Sequence, residues 1–216
     1  MDATSCFDPE CRRCPRLAAF LDQVRAEHPD YHSRPVPAFG DPNPRLLIVG
    51  LAPGMHGANR TGRPFTGDHA GLLLYRTLHA LGLASHEGSD NANDGLVLTD
   101  CRITNAVKCL PPANKPVGGE IRECNRFLAA ELDKLPNGAA VLALGRIAHD
   151  AVLKAMKKPL ASCRFAHGAE HHLGSLFMVD SYHCSRYNTQ TRRLTESMFQ
   201  AVVAQVAAIA GCRSTA

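Results

Sequence analysis

The sequence predicts an α/β fold: a three-layer α/β/α sandwich around a four-stranded parallel sheet, in one domain spanning residues 1–216 with a cysteine-containing N-terminal segment. Two observations lead there. Short apolar runs that read as buried strands alternate with segments of helical periodicity, the pattern of a parallel sheet covered on both faces. No internal repeat, low-complexity tract or linker interrupts that alternation.

In chain order, residues 15–28 read as a helix, with Leu17, Phe20, Leu21 and Val24 on one face. Residues 29–44 hold five prolines and form an irregular connector. Arg45 to Gly50 is the first strand. A helix from about Asp68 to Leu81 turns Leu74, Leu78 and Leu81 inward, and the Ser, Asn, Asp and Gly of residues 84–95 form a loop. Leu96 to Val107 contains the second strand, broken by Pro111-Pro112. Glu120 to Leu135 is a helix, Ala139 to Gly145 the third strand, and Arg146 to Lys157 the next helix. Residues 158–174 are irregular and contain histidine. Leu176 to Val179 is the fourth strand, and a last helix carries Leu194, Met198, Val202, Val206 and Ile209 on one stripe.

Apolar residues make up 45% and charged residues 20% of the 216, enough for a proper core. The net charge of +4 is a mild basic bias, compatible with a nucleic-acid partner. No apolar run has the length of a membrane span, and the first residues lack the regions of a secretory signal. The expected location is the cytoplasm.

Nine cysteines in such a chain argue for a metal site over disulfides. Cys11 and Cys14 form a CxxC pair; Cys109 and Cys124 bracket a loop that can return to it. Four such thiolates can hold zinc or a [4Fe–4S] cluster, and Cys6 competes for a place in the set. Cys101, Cys163, Cys184 and Cys212 are read as free.

Two polar segments follow strands and lead into helices. One is Gly50-Leu51-Ala52-Pro53-Gly54 continued by the run from Asn59 to Asp68; the other runs from Ser181 to Thr189. Strand, Gly-rich loop and helix N-terminus together favour an anion such as phosphate.

GLAPG, NRTGRPFTGD, the Asn105 of ITNAVKC and YHCSRYNT resemble the type-B uracil-DNA glycosylases, family 5 of that superfamily. The resemblance covers nearly the whole chain. It implies a four-stranded parallel sheet between helices, and removal of uracil and other deaminated or damaged bases from DNA by a monofunctional hydrolase that initiates base excision repair. The four-cysteine pattern is shared with family 4, where it holds a [4Fe–4S] cluster. That assigns Cys11, Cys14, Cys109 and Cys124 as its ligands here. Leu51 stands where family 4 carries an acid, Cys184 where family 5 has Pro after His, and Arg192 where it has Gly.

A glycosylase must hold an extruded base and stabilise a cationic sugar and an anionic leaving base. Phe65 is the expected stacking platform, with Gly50 and Ala52 beside the base. Asn105 offers a donor and an acceptor to the base edge. His183 is expected to donate to the base O2, as a neutral or a charged ring. Asp68 is the acid candidate, to orient water or stabilise the sugar; its plain structural role would be a helix N-cap. Gly54, Gly57, Asn59, Arg60, Arg63, Ser185, Arg186, Tyr187 and Asn188 are expected against DNA. The expected state is a monomer. A rival class is a DNA-binding iron–sulfur redox protein without glycosylase activity. A nucleotide-binding module is disfavoured, because neither GxxxxGK[ST] nor GxGxxG follows a strand.

Overall fold

A computed structural model describes residues 7–212. Helix α1 (Pro15–Glu27) opens with proline at its first turn, where an N–H would have no partner within the helix. Strands β1 (Phe39–Gly40) and β2 (Leu46–Gly50) follow, then the short helix α2 (Ala58–Thr61) and helix α3 (His69–Ala80). The rest of the order is β3 (Cys101–Asn105), α4 (Gly118–Leu132), β4 (Ala140–Leu144), α5 (Arg146–Ala155), β5 (Glu170–His172), β6 (Phe177–Ser181), α6 (Arg186–Gln190) and α7 (Glu196–Ala210).

The sheet has six strands in the order β1-β3-β2-β4-β6-β5. The four inner strands are parallel, as the sequence predicts. The outer two pair antiparallel as edges. They fall in the stretches read as irregular: with two and three residues they are too short to show an alternating pattern.

Alternate residues of each inner strand face opposite layers. Leu46 and Ile48 join Leu74, Leu78, Phe199, Val202 and Val206 on the side of α3 and α7. Leu47 and Val49 join Leu128, Leu132, Ala148 and Val152 on the side of α4 and α5. The stripe of α7 is displaced from the expected one. Phe199, Val202, Val203 and Val206 are buried, while Met198 and Ile209 pack only partly against the core. Helix α1 lies outside this sandwich, with Leu17 against Val107 and Phe127, and Leu21 and Val24 against Leu110. No helix among the described residues is long and apolar enough to cross a membrane.

The chain leaves β2 toward β3 on one side and places β4 on the other. Their carboxyl ends therefore diverge, opening the crevice in which α/β sheets bind ligands.

Candidate active site

A cavity of about 610 Å³ fills that crevice. Each inner strand supplies part of its wall: Leu51 and Ala52 after β2, Asn105 at the end of β3, Leu144 and Gly145 at β4, and His183 after β6. Phe65 and Asp68 come from the loop before α3. The loop after Gly50 and the segment from Ser181 to Thr189 lie far apart in sequence. They meet because the parallel strands that precede them end on the same side of the sheet.

Phe65 is buried and has φ +54, a left-handed conformation unusual for an aromatic residue. Its neighbours hold it there. Tyr75 Oη donates to the Pro64 carbonyl at 2.8 Å, and a side chain on Gly71 would collide with the Phe65 carbonyl. Strain of this kind is held at functional sites by the surrounding structure. The ring lies 6.0 Å from that of His183, with 27° between their planes. Gly50 lies under both site groups: a Cβ there would meet Asn105 Oδ1 and come within 2.7 Å of the Phe65 ring. Asn105 is buried, and its Oδ1 has no hydrogen-bond partner among the described residues.

Asp68 keeps its expected structural role and also faces the cavity. It is the N-cap of α3, with Oδ1 accepting from Gly71 N–H at 2.8 Å, and it lines the cavity. Burial raises its pKa, and the N–H groups of Gly71 and Ala70 oppose the rise. His183 is partly buried, and desolvation lowers its pKa to about 4. The ring is therefore neutral at neutral pH, which decides between the two forms left open by the sequence. Asn188 Nδ2 donates to the His183 carbonyl at 2.8 Å.

A second cleft of about 690 Å³ adjoins the cavity and shares Gly54, Asp68, His69 and Arg186 with it. Arg60 lines this cleft, held by Nε donating to His56 O at 2.8 Å. Gly57 lines it too. Ser185 lines the cavity and caps α6; Arg186 and Tyr187 are exposed beside it.

Two expected DNA contacts are corrected. Arg63 is buried, bonded to Asp94 at 2.5 Å, to Ser89 at 3.0 Å and to Thr66 at 2.8 Å. Its charge is neutralised inside the loop and cannot reach a phosphate. Asn59 is fully buried and its N–H donates to Gly54 O at 3.0 Å, so neither its side chain nor its amide faces solvent. Sequence reasoning also missed His69, whose Nε2 lies 3.0 Å from Thr189 Oγ1 and ties the two motifs together. Its place immediately after Asp68 was the available signal.

The four assigned cysteines, Cys11, Cys14, Cys109 and Cys124, line one small cavity with Leu17 and Phe127. Cys6 lies outside the described residues. Cys101, Cys163, Cys184 and Cys212 are free.

A sequence model of the uracil DNA glycosylase superfamily matches residues 37–207. A type-5 uracil-DNA glycosylase of Thermus thermophilus is 47% identical over 93% of this chain and 94% of its own. One of Pyrobaculum aerophilum is 42% identical over 94% and 90%. The chain belongs to the type-5 family of the uracil-DNA glycosylase superfamily. A type-4 uracil-DNA glycosylase of Sulfurisphaera tokodaii is more distant, 26% identical over 80% of this chain and 74% of its own. Arg192 stands out in the backbone. Its φ is +57, a conformation that glycine adopts without strain.

Proposed function

We propose that the protein is a monofunctional DNA glycosylase that excises uracil, and other deaminated or damaged bases, by hydrolysis of the N-glycosidic bond. The observation that carries this reading is the convergence of Phe65, Asn105, His183 and Asp68 on one cavity at the sheet's carboxyl end.

The flipped base stacks on Phe65, and Asn105 reads its edge with a carboxamide whose oxygen is unpaired among the described residues. Neutral His183 donates to the base oxygen as negative charge grows there, an interaction strongest in the transition state. Asp68, which lines the same cavity, acts as an ionised carboxylate that favours a cationic sugar or orients water. Arg60 and Arg186, with Gly54, Gly57, Ser185 and Tyr187, flank the strand. Neither motif contains a lysine that would form a Schiff base, in keeping with hydrolysis alone. The protein acts as a monomer, in the cytoplasm.

Cys11, Cys14, Cys109 and Cys124 are proposed to hold a [4Fe–4S] cluster. Support comes from four free thiols around one cavity. Burial raises the pKa of Cys109 and takes that of Cys124 to about 11, so a cation is needed to keep them as thiolates. The group would be structural, tying the segment before α1 to the loop after β3 and the first turns of α4. The rival redox reading accounts for the thiols and leaves the cavity residues without a role.

A uracil-containing oligonucleotide incubated with the protein, then treated with alkali, tests the reading. Strand cleavage at the uracil is expected; an intact strand would overturn it.

A further inference from the structure

The geometry points to a divalent-cation site of zinc's class formed by His149, His171 and Asp180, apart from both the cavity and the four cysteines. The three come from α5, β5 and β6, and their ligand atoms all lie within 4.8 Å of one another. His149 and Asp180 are fully enclosed, and the His171 side chain is 9% exposed.

The hydrogen bonds narrow what can lie between them, a proton or a metal ion. His149 Nε2 is 3.2 Å from the Cys163 carbonyl, which only accepts, so Nε2 carries a proton. A neutral ring then turns the Nδ1 lone pair on Asp180 Oδ1, 2.8 Å away. Two lone pairs at that distance require a cation between them, a proton or a metal ion. A proton on His149 satisfies that pair alone. His171 Nε2, from a different element, lies 2.9 Å from Asp180 Oδ2, where either its own N–H donated to the carboxylate or a metal ion shared with His149 satisfies the contact. The case for a metal is the convergence of three ligand atoms from three elements in one enclosed place.

Two imidazole nitrogens and a carboxylate are a donor set suited to zinc. An N–H donated to a backbone carbonyl is the usual device that orients a ligating histidine. Zinc with bonds of about 2.0–2.1 Å spaces tetrahedral ligands by roughly 3.3 Å. The two gaps between histidine and carboxylate therefore open by about half an ångström on binding, most easily at His171 on the edge strand β5. Water completes the set from that side.

The test uses the full chain with its cysteine site loaded, so that thiols do not compete for zinc. Wild type and His171→Ala are stripped with a mild chelator, dialysed against Zn²⁺, and assayed for retained zinc and for thermal unfolding. Wild type is expected to keep one zinc per chain. Its unfolding midpoint should rise by roughly 5–10 °C at a hundredfold excess over the dissociation constant. Folded His171→Ala should show neither. No zinc on wild type, or zinc that survives the substitution, would overturn the site. Should His171→Ala fail to fold, Co²⁺ replaces it as the probe on wild type. Visible d–d bands without an intense thiolate band support the site, and their absence overturns it.

Discussion

The Asp68 carboxylate rests against the backbone of Gly57: a methyl group built there would lie 2.5 Å from Oδ2. Gly57 is thus the floor on which the acid is held, while Gly71 N–H fixes its other oxygen. Gly57→Ala should push the carboxylate out of place. A single-turnover rate at least roughly tenfold lower is expected, with a smaller loss of DNA affinity because Gly57 flanks the strand. Rates on a uracil-containing duplex, beside a binding titration, check this.

Two titrating groups of the cavity, His183 and Asp68, bear on the acid limb of the rate. His183 stays neutral down to about pH 4, and its ring offers an N–H donor in either form, so it sets no acid limb above that. Asp68 has a raised pKa and must be ionised to act on the sugar, so its protonation should set the acid limb above the ordinary carboxylate range. Asp68→Asn should lower the plateau and remove that limb. A limb unchanged in Asp68→Asn would show that another group titrates.

Asn105→Ala should change base choice as well as rate, because it removes the carboxamide at the base edge. His183→Ala should slow the chemical step by roughly a hundredfold to a thousandfold, the usual cost of losing one such donor, with modest loss of DNA binding. Single-turnover rates on uracil and on a second deaminated base separate the two effects.

Arg63 and Arg60 should behave oppositely. Arg63→Ala breaks a buried pair and should cost about 3–5 kcal/mol of stability, read from denaturant unfolding. Arg60→Ala should leave stability nearly unchanged and lower the salt slope of DNA binding by about 1. The Arg63 guanidinium also holds Asp94 down to about 2. Asp94 therefore contributes stability above its ordinary value of 3.8, and that contribution is lost as pH falls toward about 2.

Arg192→Gly should stabilise the protein by about 0.5–1 kcal/mol, because the left-handed φ no longer strains a side chain. The greater freedom of glycine in the unfolded chain limits the gain. Thermal unfolding of the two proteins checks the sign.

Much of the fold was legible because buried parallel strands are continuous apolar runs and the helices between them keep their periodicity. Leu46 to Val49 and Ala140 to Leu144 announce themselves in this way. The edge strands β1 and β5 did not, since two or three residues carry no period. Asn188 was expected against DNA, and the structure adds a hydrogen bond to the His183 carbonyl that no sequence pattern implies.

The sequence by itself determined the alternation of strands and helices, the two polar motifs, and the family that carries Phe65, Asp68, Asn105 and His183 together. Those are properties of local pattern and of residue type at fixed spacing. Only the tertiary structure decided that Arg63 is an internal brace, that His183 is neutral, and that Asp68 caps a helix while facing the cavity. Burial, ion pairing and pKa depend on which distant groups surround a side chain. That surrounding exists only once parallel strands bring separate loops to one end of the sheet.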